Sequence, residues 1–104
     1  MPTVGVVLVA AGLGTRLGRG VPKALVEVSG STILERSLGP ITRFNPKTIC
    51  VAAPIGFAAE VEAIVKDSGI AATVVEGGPT RMASVANALA KLGDVDVVLI
   101  HDAA

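Results

Sequence analysis

The segment best suited to chemistry is VAAGLGTRLGRGVPKAL (Val9–Leu25), which contains four glycines, two arginines and one lysine. Gly12 and Gly14 allow successive backbone N–H groups to face the same way, and a concavity of this kind binds anions. Arg16 offers a planar fork of donors and Lys23 a compact ammonium group, and both suit a polyphosphate. Taken alone, a Gly-x-Gly pattern is also compatible with plain glycine turns and solvated cations.

Two familiar phosphate-binding loops do not fit this segment. The dinucleotide-binding fingerprint needs a glycine three residues after Gly14, but Leu17 stands there and glycine follows at Gly18. The P-loop needs a Gly-Lys pair, which the chain lacks. The small residues Ala10 and Ala11 would instead let a flat base or a ribose lie against the backbone.

A second polar segment, EGGPTRMASV, follows a predicted strand and opens a predicted helix. Gly77 and Gly78 permit close approach of the backbone to a ligand. Thr80, Arg81 and Ser84 cluster at the start of that helix, where backbone N–H groups attract anions. The segment is therefore a candidate part of the same binding site.

A third segment, HDAA, stands after the last predicted strand and contains Asp102. The strand before it is expected to be buried, so the Asp102 carboxylate would be costly without a cation beside it. A metal ion that bridges phosphates would supply that cation. His101 is expected to be a structural neighbour of Asp102 rather than a catalytic group.

Apolar and β-branched runs predict four strands, at Thr3–Ala11, Lys47–Pro54, Ala71–Glu76 and Val95–Ile100. A first helix should begin with a capping box of Thr32 and Glu35, and Gly39-Pro40 should kink or end it. A second helix should end at Gly69. Two apolar stripes are expected on the second and third helices: Phe57, Val61, Ile64 and Val65; Met82, Val85, Ala86, Leu89 and Leu92.

Alternation of strands and helices predicts an α/β fold with a mostly parallel sheet and helices on both faces. We expect the spatial order third, second, first, fourth, because the loop after the central first strand must meet the other two segments. Ligands of open α/β sheets bind beyond the carboxyl ends of the strands. Gly14, Gly78 and Asp102 should therefore lie at one edge.

The composition excludes several classes of function. Hydrophobic residues make up 51% of the 104 residues and aromatic residues only 2%, which suits the aliphatic core of one parallel-sheet domain. Nine basic residues balance nine acidic ones, so no net field attracts nucleic acid. The aromatic platforms of single-strand binders are also missing.

The apolar stretches do not predict a membrane protein. The two longest, Val4–Gly14 and Ile49–Ala59, are too short to span a bilayer and contain Gly or Pro. The start MPTVGVV lacks the basic region of a signal peptide. Cys50 stands alone in an apolar run and is expected to pack in the core. We expect a soluble, cytoplasmic protein.

Three motifs together, AAGLGTRLGRGVPKAL, GGPTRMASVANAL and VLIHDAA, resemble the 2-C-methyl-D-erythritol 4-phosphate cytidylyltransferase family. The resemblance covers essentially the whole chain. It implies a Rossmann-like nucleotidyltransferase fold, of which residues 1–104 would be the N-terminal part of a single domain. It also implies transfer of CMP from CTP to a polyol phosphate, Mg²⁺ or another divalent cation, and a homodimer of the full-length protein.

The resemblance also assigns roles to individual residues. Arg16 and Lys23 would be catalytic and stabilise charge at the α-phosphate, and Asp102 would lie at the metal. CTP would be bound by Ala10, Ala11, Gly12, Gly14, Gly77, Gly78, Arg81, Ser84 and Ala103, with Gly77, Gly78 and Ser84 at the cytosine. The family's usual acid after the two glycines is here Pro79, which has neither a carboxylate nor an N–H.

Two other functions fit the same motifs. The chemistry would be the same in a ribitol-5-phosphate cytidylyltransferase or another polyol- or sugar-phosphate nucleotidyltransferase, since the residues that choose the acceptor are mostly absent from these motifs. A nucleotide-binding fragment without catalytic activity is the alternative from another class.

Overall fold

The computed structural model describes residues 2–11 and 22–103, and its central feature is a four-stranded parallel sheet. The strands are β1 (Val4–Val9), β4 (Thr48–Ala53), β5 (Thr73–Glu76) and β6 (Val97–Asp102). Their order is β5-β4-β1-β6, which confirms the predicted order with the first strand in a central position. All three pairings within this sheet are parallel.

Helices lie on both faces of the sheet, as predicted. Helices α1 (Ile33–Ile41) and α2 (Ala58–Ser68) pack on the face that carries Val6, Leu8 and Val51. Helix α3 (Arg81–Leu92) packs on the opposite face, against Val7, Val9 and Cys50. None of the helices in the described ranges has the length and apolar character needed to cross a membrane.

Short elements connect β1 to α1. A 3₁₀ turn (Lys23–Leu25) leads into β2 (Glu27–Val28), which pairs antiparallel with β3 (Ser31–Thr32). A second 3₁₀ turn (Thr42–Phe44) follows α1 directly.

The sequence signals that predicted where the helices begin and end are confirmed. The hydroxyl of Thr32 accepts a hydrogen bond from the Glu35 N–H, and the Glu35 carboxylate accepts one from the Thr32 N–H. The helix continues through Pro40 and ends one residue later. Gly39 permits this, because it has no Cβ to clash with the proline ring. Gly69 adopts the left-handed conformation after α2, with φ of 77°.

The predicted apolar stripe of α3 is wrong in part. Met82 is 81% exposed and Leu89 is 42% exposed, and the buried residues are instead Ser84, Ala88 and Leu92. The helix lies on the sheet with its small side chains inward, which brings its axis close to β4 and β1. Hydrophobic spacing does not reveal this choice, because Ser84 is polar and Ala88 contributes little to an apolar pattern.

The prediction of a buried fourth strand is also wrong. Strand β6 runs to Asp102, and most of its side chains are exposed, including Val97, Val98 and Ile100. Helix α3 covers mainly β4 and β1, so it leaves the adjacent face of β6 open. The apolar character of β6 predicted a strand but not how much of that strand a helix covers.

Candidate functional site

The carboxyl edge of the sheet brings together residues from all three sequence segments. Beyond the strand ends, Ala10 donates its N–H to the carbonyl of Ala52 at 2.9 Å, and Gly77 donates to Ala53 at 2.7 Å. On the other side, the Ala103 N–H donates to Val9 at 2.9 Å. The backbones of these predicted site residues therefore form one continuous row.

The alanines of this row present backbone rather than side chain to the edge. Ala10 and Ala103 are buried and their methyl groups pack in the core with α1 and α2. Ala11, two residues beyond the end of β1, is also buried. Gly12, Gly14 and Arg16 lie outside the described residues, so their predicted roles stay predictions.

Gly77 and Gly78 are required by the packing of the chain on itself. A Cβ on Gly77 would lie 2.5 Å from the Ala11 Cβ and 2.8 Å from the Ala53 carbonyl oxygen. A Cβ on Gly78 would lie 2.5 Å from the Ala83 Cβ. The two glycines thus allow the turn before α3 to contact both the end of β1 and the first turn of α3.

Ser84 fixes the shape of this turn. Its side chain is fully buried, and its hydroxyl accepts a hydrogen bond from the Gly78 N–H at 3.0 Å and donates to the Thr80 carbonyl at 3.1 Å. Thr80 caps the helix by accepting from the Ala83 N–H at 3.0 Å. In this structure the Ser84 hydroxyl therefore holds the turn, and its predicted contact with a base stays a prediction.

Sequence reasoning missed a clamp formed by Glu76. The Glu76 carboxylate accepts a hydrogen bond from the Gly56 N–H at 3.1 Å, and its carbonyl accepts one from the Asn87 side chain at 3.2 Å. The clamp joins the loop after β4, the end of β5 and helix α3. An acid at a strand end followed by an amide nearly two turns into the next helix was the available signal.

Arg81 and Asp102 form an ion pair across the site. The Arg81 Nε lies 3.1 Å from Asp102 Oδ1 and its Nη2 lies 3.2 Å from Oδ2, a bidentate arrangement. The hydrogen bonds and charge of Asp102 raise the pKa of Arg81 above its usual value. Both side chains are about half exposed, at 54% and 52%. The pair also shows that Gly78 and Asp102, joined through α3, share one edge as predicted.

This pair corrects the argument made from the sequence about Asp102. The carboxylate is neither buried nor without a cation, because β6 is an exposed strand at the edge of the sheet that residues 2–11 and 22–103 form, and the Arg81 guanidinium binds both oxygens. Sequence spacing did not reveal the partner, since the two residues are 21 positions apart.

The comparisons with known proteins decide the family. The model of the family IspD: 2-C-methyl-D-erythritol 4-phosphate cytidylyltransferase matches residues 4–104. The chain belongs to this family. The description of the family names a cytidylyltransferase, which is a kind of nucleotidyltransferase.

Curated relatives support the assignment. The chain is 51% identical over 109 aligned residues to a bifunctional enzyme IspD/IspF of Clavibacter michiganensis, covering 99% of this chain and 27% of that protein. It is 44% identical over 100 residues to the 2-C-methyl-D-erythritol 4-phosphate cytidylyltransferase of Saccharopolyspora erythraea, covering 91% of this chain and 45% of that enzyme. The chain thus spans less than half the length of these relatives.

The fold has a close counterpart among solved structures. The 4-diphosphocytidyl-2C-methyl-D-erythritol synthase of Anaerococcus prevotii superposes with a TM-score of 0.79 at 23% identity, covering 98% of this chain and 43% of that one. The sheet and helices described above are therefore the nucleotidyltransferase fold.

Lys23 is positioned within this cytidylyltransferase fold by its neighbour. The Ala24 methyl group is buried in the same core cluster as Ala10 and Ala103. The 3₁₀ turn that begins at Lys23 packs against α1, and the Lys23 side chain itself is partly exposed. The predicted contact of the Lys23 ammonium group with the phosphates of a nucleotide stays a prediction.

The donor set fits a metal ion only in part. Mg²⁺ takes oxygen ligands and is usually held by one or two carboxylates together with substrate phosphates and waters. Asp102 supplies one accessible carboxylate, and residues 2–11 and 22–103 contain no group of three or more His, Cys, Asp or Glu side chains that would hold a metal. The predicted divalent cation at Asp102 therefore stays a prediction.

Proposed function

We propose that the protein is a cytidylyltransferase that transfers CMP from CTP to 2-C-methyl-D-erythritol 4-phosphate and releases pyrophosphate. The observation that carries the proposal is the row of backbone at the carboxyl edge. There the three segments singled out from the sequence meet, through Ala10, Gly77 and Ala103. Family membership over residues 4–104 supports the reaction class.

The proposed reaction is a substitution at the α-phosphorus of CTP. An oxygen of the acceptor phosphate forms the new P–O bond, the bond to the β-phosphate breaks, and the electron pair leaves with pyrophosphate. The acceptor phosphate is already anionic near neutral pH, so the step needs no strong general base. The main obstacle is the approach of two anions.

Cations that are already in position when the reaction begins reduce the repulsion between the two anions. Lys23 is proposed to bind the α-phosphate region, and Arg16, outside the described residues, to act with it. Asp102 would hold Mg²⁺, which when bound would neutralise phosphate charge. The turn at Gly77 and Gly78 is proposed to receive the base, with Ser84 and Thr80 fixing its shape.

A pyrophosphate-release assay tests the proposal. The purified protein is incubated with CTP and Mg²⁺, and with either 2-C-methyl-D-erythritol 4-phosphate or ribitol 5-phosphate. We expect release with CTP and the first acceptor, and release about 10²–10³ times slower with Lys23→Ala at the same enzyme concentration. Release only with ribitol 5-phosphate would support the alternative acceptor. Binding of CTP without release under either condition would support the non-catalytic alternative.

The homodimer of the full-length protein stays a prediction from the family resemblance, and the cytoplasmic location stays a prediction from the amino-acid sequence. Size-exclusion chromatography with light scattering tests the first, and a fluorescent fusion imaged in cells tests the second.

A further inference from the structure

The position of Arg81 is unusual for a cation. It is the first residue of α3, where the helix dipole is positive and an acidic residue is favoured, yet the first turn contains no acid. A cation at this point is unfavourable unless it binds an anion. The anion that it binds here is the carboxylate of Asp102, which belongs to a different element, β6.

The geometry of the pair leaves Asp102 no oxygen free of the guanidinium. Arg81 donates from Nε to Oδ1 and from Nη2 to Oδ2. A divalent cation that binds this carboxylate prefers the same oxygens and repels the positive guanidinium. Arg81 and a metal ion therefore compete for Asp102.

Asp102 can exchange Arg81 for a metal ion at a small cost in free energy. Both side chains are about half exposed, so the pair is screened by solvent and contributes little to stability. Asp102 and the α3-facing side of β6 are open to solvent, because α3 packs mainly over β4 and β1. A hydrated cation reaches the carboxylate without rearrangement of the core.

We propose that Arg81 is a latch that occupies Asp102 in the nucleotide-free protein and leaves it when a divalent cation and a nucleotide bind together. The inference rests on the proposed function, because it takes Asp102 as the metal carboxylate. On release, the guanidinium fork faces the same edge as the Gly77-Gly78 turn and binds a phosphate oxygen of the nucleotide. Metal and nucleotide thus bind cooperatively. The metal ion displaces Arg81 from Asp102 and so frees the guanidinium for the phosphate, and the phosphate holds the guanidinium and so frees Asp102 for the metal.

The test measures metal binding directly. Mn²⁺ is titrated at low ionic strength into the nucleotide-free protein and followed by electron paramagnetic resonance of the free ion. We expect Arg81→Gln to bind Mn²⁺ about two- to fivefold more tightly than the unaltered protein, which corresponds to the loss of a half-exposed ion pair. Arg43→Gln, which removes an exposed arginine from the 3₁₀ turn after α1, should leave the affinity unchanged.

The double variant Arg81→Gln with Asp102→Asn locates the bound metal. It should lose the gain in Mn²⁺ affinity, and circular dichroism should show that all variants keep the fold. Equal Mn²⁺ affinity in Arg81→Gln and the unaltered protein would overturn the latch, even if pyrophosphate release were normal. Tighter Mn²⁺ binding in Arg81→Gln would support the latch even if no acceptor were used, so the two proposals fail separately.

Discussion

Gly77 is the most tightly enclosed of the described glycines at the site. Its substitution should therefore disturb the packing at the carboxyl edge of the sheet. A methyl group there would meet the Ala11 Cβ and the Ala53 carbonyl oxygen, and the backbone atom cannot move aside without breaking the row. We expect Gly77→Ala to lower the free energy of unfolding by about 1–3 kcal/mol, as for other overpacked sites. Urea denaturation measures this.

Gly5→Ala is the matched comparison for Gly77→Ala. A Cβ on Gly5 would also be crowded, at 3.0 Å from Val95, but its three nearest atoms belong to side chains that can shift. The loss of stability should be smaller than for Gly77→Ala. An equal or larger loss in Gly5→Ala would show that the carboxyl edge is not especially constrained.

Lys23 should act mainly in the transition state. If its ammonium binds charge that develops at the α-phosphate, Lys23→Ala lowers kcat by about 10²–10³ and changes CTP affinity less. Steady-state kinetics of pyrophosphate release separate kcat from KM. Lys47→Ala, at the amino end of β4, serves as the control. A variant of Lys23 that keeps kcat and only raises KM would contradict the proposed role.

The capping box of α1 makes stability depend on pH in a defined direction. The backbone N–H and then the hydroxyl of Thr32 hold the pKa of Glu35 below its usual value. A lowered pKa in the folded state means that the stabilisation is present above the unfolded pKa and is lost as pH falls through the folded one.

Replacement of Glu35 tests this direction. We expect Glu35→Gln to have a lower Tm than the unaltered protein at neutral pH, with the difference shrinking as pH falls below the ordinary pKa of glutamate. Glu62→Gln, at an exposed position of α2, is the control. A Tm difference that stays constant down to the acid limit would contradict the assigned role of the carboxylate.

Helix α3 shows where reasoning from sequence succeeds and where it stops. Its start at Thr80 and its end near Gly93 follow from capping chemistry that acts within a few residues. Which face is buried depends on how closely the helix approaches the sheet, and small residues such as Ser84 and Ala88 decide that. The partner of Arg81 was equally inaccessible, since ion pairs between distant segments leave no periodic signal.

The strand order of the sheet was more predictable than which of its strands the helices cover. Strand order follows from alternation, short connections and the need for three loops to meet, and all of these can be read along the chain. The apolar character of β6 does not decide whether the strand is exposed, because an apolar strand has the same sequence pattern whether or not a helix lies over it. The predicted fold was therefore confirmed, while the predicted burial of the fourth strand was wrong.

Strand β6 is largely uncovered by the other elements of the described part of the chain, and we expect this exposure to make the chain self-associate. One of its edges pairs with β1 and the α3-facing Val98 and Ile100 are exposed, the latter by 45%. A lysine on such a strand opposes edge-to-edge association. We expect Val98→Lys to reduce light scattering of concentrated protein more than Phe44→Lys, which changes an exposed residue outside the sheet. An equal effect of the two substitutions would contradict the role of β6.

The central claim is that CTP binds at the carboxyl edge of the parallel sheet. Titration of ¹⁵N-labelled protein with CTP and Mg²⁺, followed by heteronuclear NMR, tests it most directly. We predict that the amide signals of Ala11, Gly78 and Ala103 shift with CTP concentration, while those of Thr48 and Asp96 at the amino edge do not. Shifts confined to the amino edge, with the signals of Gly78 and Ala103 unchanged, would contradict it.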